Sequence, residues 1–190
     1  MNNVMLDIET VGSGSNAAIV SIGAVFFDPL NGKLGDTFYA VINLKSAAYY
    51  GEIDAGTVMW WMKQSEEARA VFNDDKAVSL KDALTEFTTF MAKVPEFKNR
   101  YVWGNGCTFD NVIVGNAFKK ARISQPWPYS GDRDVRTIVD LGRNILGTDP
   151  KYTMKREGVA HNALDDAIHQ AKYVSEIYSQ LKQPFVEVKA

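Results

Sequence analysis

The chain has 190 residues, 46% of them hydrophobic and 23% charged, with a formal net charge of −2. This is the composition of one soluble globular domain with a sizeable core, and it excludes a disordered or low-complexity chain. No apolar run approaches bilayer-spanning length, the start MNNVMLDIET lacks the features of a signal peptide, and the single cysteine, Cys107, excludes an internal disulfide, so a cytoplasmic protein away from membranes is expected.

Three strands come first. Val4, Leu6 and Ile8 alternate with Met5, Asp7 and Glu9 in a strand pattern. Ala17 to Phe27 (AAIVSIGAVFF) is almost wholly apolar, as in a central strand buried on both faces. A turn at Asp28-Pro29-Leu30-Asn31-Gly32 leads to a third strand near Thr37 to Ile42. Short helices are expected at Thr57 to Met62 and, capped by Ser65, at Glu66 to Phe72. A longer helix, Leu80 to Met91, has Ser79 as N-cap and Asp82 at the capping-box position. Tyr101 to Trp103 reads as a short strand ending at Gly104-Asn105-Gly106, with helices following at Phe109 to Ala121, Val135 to Leu146 and Asn162 to Leu181. The last carries Leu164, Ala167, Ile168, Ala171, Val174, Tyr178 and Leu181 at helical spacing. The layout is α/β with a mixed sheet.

Asp7 and Glu9 lie two apart in the first strand, so both carboxylates project from the Met5 face. Unpartnered acids are costly in a strand interior. A hard divalent cation such as Mg²⁺ accounts for them, and an edge strand with solvated acids is the alternative. Asp110 follows a sheet element at its carboxyl end, where α/β proteins place ligands, although an acid in a first helical turn also complements the helix dipole. Asp165 and Asp166 open the last helix. Asp165 sits where a capping box over Asn162 would use it, which leaves Asp166 free. His161 precedes Asp166 by five positions. Four carboxylates and one histidine from three segments suit two-metal phosphoryl chemistry, with the imidazole taking a proton from water. Cys107 has no motif partner, and His161, His169 and one cysteine do not compose a zinc site.

Asp7-Ile8-Glu9-Thr10, Asn105-x-x-x-Phe109-Asp110, and His161 with Asp166 together resemble the DEDDh branch of the DnaQ-like 3′→5′ exonucleases. The likeness is nearest to the subgroup of phage exonuclease A and the mycobacterial AS-type exoribonuclease. Trp60-Trp61-x-x-Gln64-Ser65-x-x-Ala68-Arg69, Trp103-Gly104-Asn105-Gly106 and Arg133-Asp134-x-Arg136-Thr137 carry that part of it. Val11 departs from a second threonine found in many relatives. The resemblance spans about Val4 to Leu181 and implies an RNase H-like fold with a five-stranded mixed sheet flanked by helices. It further implies two Mg²⁺ or Mn²⁺ ions held by Asp7, Glu9, Asp110 and Asp166, with His161 as general base. Single-stranded RNA or DNA 3′ ends are the implied substrate and nucleoside 5′-monophosphates the product, from one exonuclease domain over residues 1–190. A homodimer is a further implication.

Candidate substrate contacts are Thr10, Trp61, Phe109, Arg133 and Arg136. The main chain around Glu9 and Thr10 is placed to approach a terminal ribose. Adjacent tryptophans on a helix point about 100° apart, so one of Trp60 and Trp61 can pack inward while the other stacks a base, unless both are core. Arg133 and Arg136 suit phosphate or pairing with Asp134, which reads as their support. Both belong to a local basic region. From Gly115 to Arg156 nine basic residues face four acidic ones, a balance of +5 that leaves −7 for the rest. This suits a groove for a few phosphates or a solvated face. A non-catalytic nucleic-acid-binding module and a two-metal nucleotide phosphohydrolase are the competing functional readings.

Overall fold

The computed structural model describes residues 1–182, and residues 183–190 lie outside the described residues. Five strands form one sheet in the order β3-β2-β1-β4-β5. β1 (Asn3–Thr10), β2 (Ile19–Phe27) and β3 (Leu34–Val41) form an antiparallel meander, while β4 (Tyr101–Gly104) runs parallel to β1 and β5 (Asp132–Asp134) parallel to β4. This is the expected five-stranded mixed sheet of RNase H-like type, with β1 at its centre.

The alternation in β1 divides two cores. Val4, Leu6 and Ile8 face one layer with Phe26, Phe87 and Phe118, packed by α4 (Leu80–Met91) and α5 (Asp110–Ala121). Met5 faces the other with Val25, Phe27 and Trp103, under α6 (Val135–Leu141) and α8 (Ala163–Leu181). Every residue of β2 is buried, as its unbroken apolar run requires of a strand covered on both faces.

Several boundaries differ from the sequence expectation, each for a local reason. β2 begins at Ile19 because Ala17 and Ala18 pair instead with Glu52. A helix not foreseen, α1 (Leu44–Tyr50), starts where the Asn43 side chain accepts from Ser46 N at 2.9 Å. The next helix, α2 (Ala55–Trp61), opens two residues earlier than expected because Asp54 caps it, accepting from Thr57 N at 2.7 Å. The segment from Glu66 begins as the short α3 (Glu66–Arg69), with Ser65 capping as expected, and tightens into a 3₁₀ turn at Ala70–Asn73. The helix from Val135 gives way at Gly142 to a π-type turn, Gly142–Leu146, where Gly142 faces the Ile177 side chain, and a short α7 (Pro150–Thr153) follows.

The sheet also fixes where α8 begins. Gly23 of β2 stands opposite Asp7 of β1. A Cβ at Gly23 would lie 2.2 Å from the backbone of Ala163 and Leu164, so only glycine lets the start of α8 seat against the sheet. The first turn of α8 is thereby carried to the acidic end of β1.

Candidate active site

Three elements deliver the acids. The carboxyl end of β1 supplies Asp7 and Glu9, the first turn of α5 supplies Asp110, and the first turn of α8 supplies Asp166. Glu9 and Asp110 are buried, at 9% and 5% exposure, whereas Asp7 is partly open to the cleft. His161 holds a left-handed backbone, φ 63°, one residue before the α8 cap Asn162. Its amide donates to Asp166 Oδ2 at 3.2 Å, which ties the loop to the helix. Donor atoms of Glu9, His161 and Asp166 all lie within 4.8 Å of one another. The five expected residues, with Phe109, line one open cleft of about 340 Å³.

The electrostatics of this cleft are those of crowded acids short of positive charge. Burial, with Asp110 and Glu9 alongside, holds the Asp7 carboxyl well above the ordinary range, against a 2.7 Å hydrogen bond from Gln170 Nε2. Burial and Asp110 push Glu9 up to about 7. Burial likewise pushes Asp110 up to about 7 despite neighbouring backbone hydrogen bonds and the Arg136 guanidinium. The His161 imidazole is pushed below its usual value, by burial first and by Arg156 second. Buried polar atoms without partners gather at the same place: Asn105 Oδ1, Gln170 Oε1 and the Tyr173 hydroxyl, all from cleft-lining residues.

Oxygen donors in excess, an imidazole, and orphaned polar atoms beside them fit a hard divalent cation. Asp7, Glu9, Asp110 and Asp166 could hold it. His161 is the only other titratable donor in the Glu9–Asp166 cluster among the described residues.

The remaining expectations divide. Thr10 is buried, its hydroxyl donates to Gly12 O at 2.7 Å, and its carbonyl accepts from Trp61 Nε1 at 2.8 Å, so neither polar group faces the cleft. Trp61, expected to stack substrate, is 3% exposed and belongs to the core, because that same hydrogen bond and Phe72 hold it inward. The exposed tryptophan is Trp60, at 41%, whose ring meets His161 edge-on at 4.9 Å. Arg133 is spent on Ser130 O and Asp132 O and stacks on Tyr101, away from the cleft. Arg136 is exposed, and its Nε donates to Asn105 O at 3.1 Å beside Asp110. Asp134 supports neither arginine. It caps α6 through Thr137 N and accepts from Cys107 N. Asp165 makes no capping box either, but accepts from Val159 N at 2.8 Å and so holds the loop before His161.

Gln170, Arg156, Lys151 and Tyr152 also line the cleft, with Ile8, Asn105, His169 and Tyr173, and none of these is among the expected site residues. Gln170 carried a usable signal, since it lies four residues after Asp166 on the same helix face. Lys151 and Tyr152 come from the four-residue α7, too short to show a period, and Arg156 from the irregular segment that follows it.

A family model described as the 3′-5′ exoribonuclease Rv2179c-like domain matches residues 2–178. The exodeoxyribonuclease of Enterobacteria phage T4 is 27% identical over 195 residues, covering 87% of this chain and 84% of the phage protein. Two solved structures share the fold. The nuclease domain of 3′hExo, a DEDDh family member bound to rAMP, has a TM-score of 0.65 at 12% identity, covering 94% of this chain and 92% of its own. The Mg²⁺- and Mn²⁺-bound form of S. pombe Pop2p has a TM-score of 0.64 at 14% identity, covering 94% and 83%. With the match running nearly end to end over the fold that builds this acidic cleft, the chain belongs to the 3′-5′ exoribonuclease Rv2179c-like domain family and is a 3′→5′ exonuclease.

Proposed function

We propose that this exonuclease removes nucleotides one at a time from the 3′ end of single-stranded RNA or DNA and releases nucleoside 5′-monophosphates. One observation carries the reading: four carboxylates and a histidine from three separated segments converge on one cleft, where burial holds Asp7, Glu9 and Asp110 above their ordinary range and repulsion from neighbouring acids adds to it at Asp7 and Glu9. Asp7, Glu9, Asp110 and Asp166 would hold two Mg²⁺ or Mn²⁺ ions. When bound, these cations supply the charge that stabilises the attacking and leaving oxygens of phosphodiester hydrolysis.

The protein's own groups do the rest. Burial first and Arg156 second lower the His161 pKa and so favour the neutral imidazole, whose ring nitrogen can take the proton of the attacking water. The edge-on contact with Trp60 and the amide hydrogen bond to Asp166 hold the His161 segment against the acids. Gln170 donates to Asp7 and orients its carboxylate. Phe109 and the exposed face of Trp60 offer apolar surface to the terminal bases, and Arg136 offers a charge for phosphate.

The matched family model is described as an exoribonuclease and the phage relative as an exodeoxyribonuclease, so both sugars belong in the test. Matched 5′-labelled single-stranded RNA and DNA should shorten from the 3′ end in Mn²⁺, and chromatography should recover 5′-monophosphates. Folded Asp7→Asn and Asp166→Asn variants should show no degradation. Full activity in either variant, activity persisting in EDTA, or products carrying a 3′-phosphate would each overturn the proposal.

A further inference from the structure

Arg156 is a cleft residue with no part in the reaction above. It leaves the irregular segment 154–162 between α7 and α8, and its guanidinium enters the cleft. There Nη2 forms an ion pair with Asp166 Oδ1 and a long hydrogen bond to Val159 O at 3.4 Å. The same guanidinium opposes the upward shift at both Asp7 and Glu9. Arg136 stands beside Asp110, but at the Glu9–Asp166 end of the cleft Arg156 is the guanidinium in contact.

The two oxygens of Asp166 are therefore held differently: Oδ2 accepts a hydrogen bond from the His161 amide, whereas Oδ1 is buried without a hydrogen bond and meets only the charge of Arg156. The amide lies in the adjoining chain and is built into the helix start. The guanidinium is not. Its side chain is 37% exposed, and an ion pair that open to solvent holds by little. A divalent cation and a guanidinium compete for one carboxylate oxygen, because each needs the same lone pairs and each neutralises the same charge. The dication gains more from the surrounding acids, since it meets Glu9 and His161 as well. Arg156 shares the cleft wall with Lys151 and Tyr152, so a guanidinium released from Asp166 stays within the cleft. Its planar fork of donors then matches a phosphate.

Resting on the metal-dependent reading above, we propose that Arg156 is an exchangeable counter-ion. It neutralises Asp166 in the metal-free protein, yields that oxygen to the divalent cation, and then turns to the phosphate of the 3′-terminal nucleotide.

Calorimetric titration of MnCl₂ into metal-free protein tests the exchange without any turnover. Arg156→Gln should bind Mn²⁺ about two- to fivefold more tightly than the wild type, the range expected for removing a competitor held by a partly exposed pair. Arg156→Lys keeps the charge and should stay close to the wild type. Titration of 5′-AMP into the Mn²⁺-loaded proteins should then show the reverse order, with Arg156→Gln weaker by a similar factor. Circular dichroism establishes that each variant is folded. Unchanged or weaker Mn²⁺ binding by folded Arg156→Gln overturns the competition, and unchanged 5′-AMP binding overturns the transfer to phosphate. A wild type that binds no Mn²⁺ overturns the metal-dependent reading itself, whereas a wild type that binds it while Arg156→Gln matches it overturns the exchange alone.

Discussion

His161 and Gln170 show how single side chains are set by their surroundings. His161 sits in a left-handed backbone, uncommon for a side chain with a Cβ, and its backbone N–H donates a hydrogen bond to the Asp166 carboxylate there. Burial and Arg156 depress its pKa. Because the base is the neutral form, the sign follows directly: activity should fall on acidification, and the histidine-dependent limb should lie below the ordinary value of 6.5. His161→Ala should cost about 10²–10⁴ in kcat, read from single-turnover rates at saturating Mn²⁺, and should remove that limb. Gln170 touches no substrate and acts through Asp7. Gln170→Ala should weaken Mn²⁺ binding by about 10–100-fold while leaving the circular dichroism spectrum unchanged; an unaltered binding isotherm would remove it from the site. The Asp7 and Glu9 pair was legible from strand alternation alone. Asp110 was not, since a helix-start acid has an ordinary structural use, and only its place in the cleft separates the two.

At the level of elements, the contact of α8 with β2 assembles the site. The Gly23 gap lets the first turn of α8 approach the strand neighbouring Asp7, and the cap at Asn162, accepting from Leu164 N and Asp165 N, starts the helix in the register that aims Asp166 inward. Gly23→Val would drive side-chain atoms into the backbone of Ala163 and Leu164. It should lower Tm and weaken Mn²⁺ binding together, whereas an Asp166→Asn control should weaken binding without lowering Tm. A Gly23→Val protein that binds Mn²⁺ like the wild type would show that helix placement does not set the site. The long helices and the strands were legible because period and capping residues coincide in them, as at Ser79 and Asp82. The short α1 and the π-type turn after α6 escaped, because stretches under two turns carry too few residues to display a period.

For the whole molecule, the acidic cleft sets stability against function. Glu9 has an ordinary pKa of 4.5 and rises to about 7 in the fold, and Asp7 and Asp110 rise with it. Through these three acids the folded state binds more protons than the unfolded one between about pH 4.5 and 7, so their contribution to the stability of the metal-free protein should fall as pH rises through that window, offset in part by the depressed His161 and His169, which act with the opposite sign. Mn²⁺ at about 100 times its pH 7.5 Kd should restore roughly 2.7 kcal/mol, or about 5–10 °C in Tm, at that pH, and the same concentration should give less at pH 5, where protons compete for the carboxylates. Thermal melts with and without Mn²⁺ at pH 5 and pH 7.5 check this; a metal-free Tm that rises with pH would contradict it. The two-faced β1, the buried β2, the long amphipathic helices and the acids that stand at their ends are encoded locally, because periodicity and capping act over a few neighbouring residues. Only the tertiary structure decided that Trp61 is core and Trp60 is exposed, that Arg133 and Thr10 turn away from the cleft, and that Gln170 and Arg156 turn into it. Those outcomes depend on contacts between segments as many as 163 positions apart, as Gln170 is from Asp7, and apart from the spacing of Gln170 from Asp166 no local pattern along the chain encodes them.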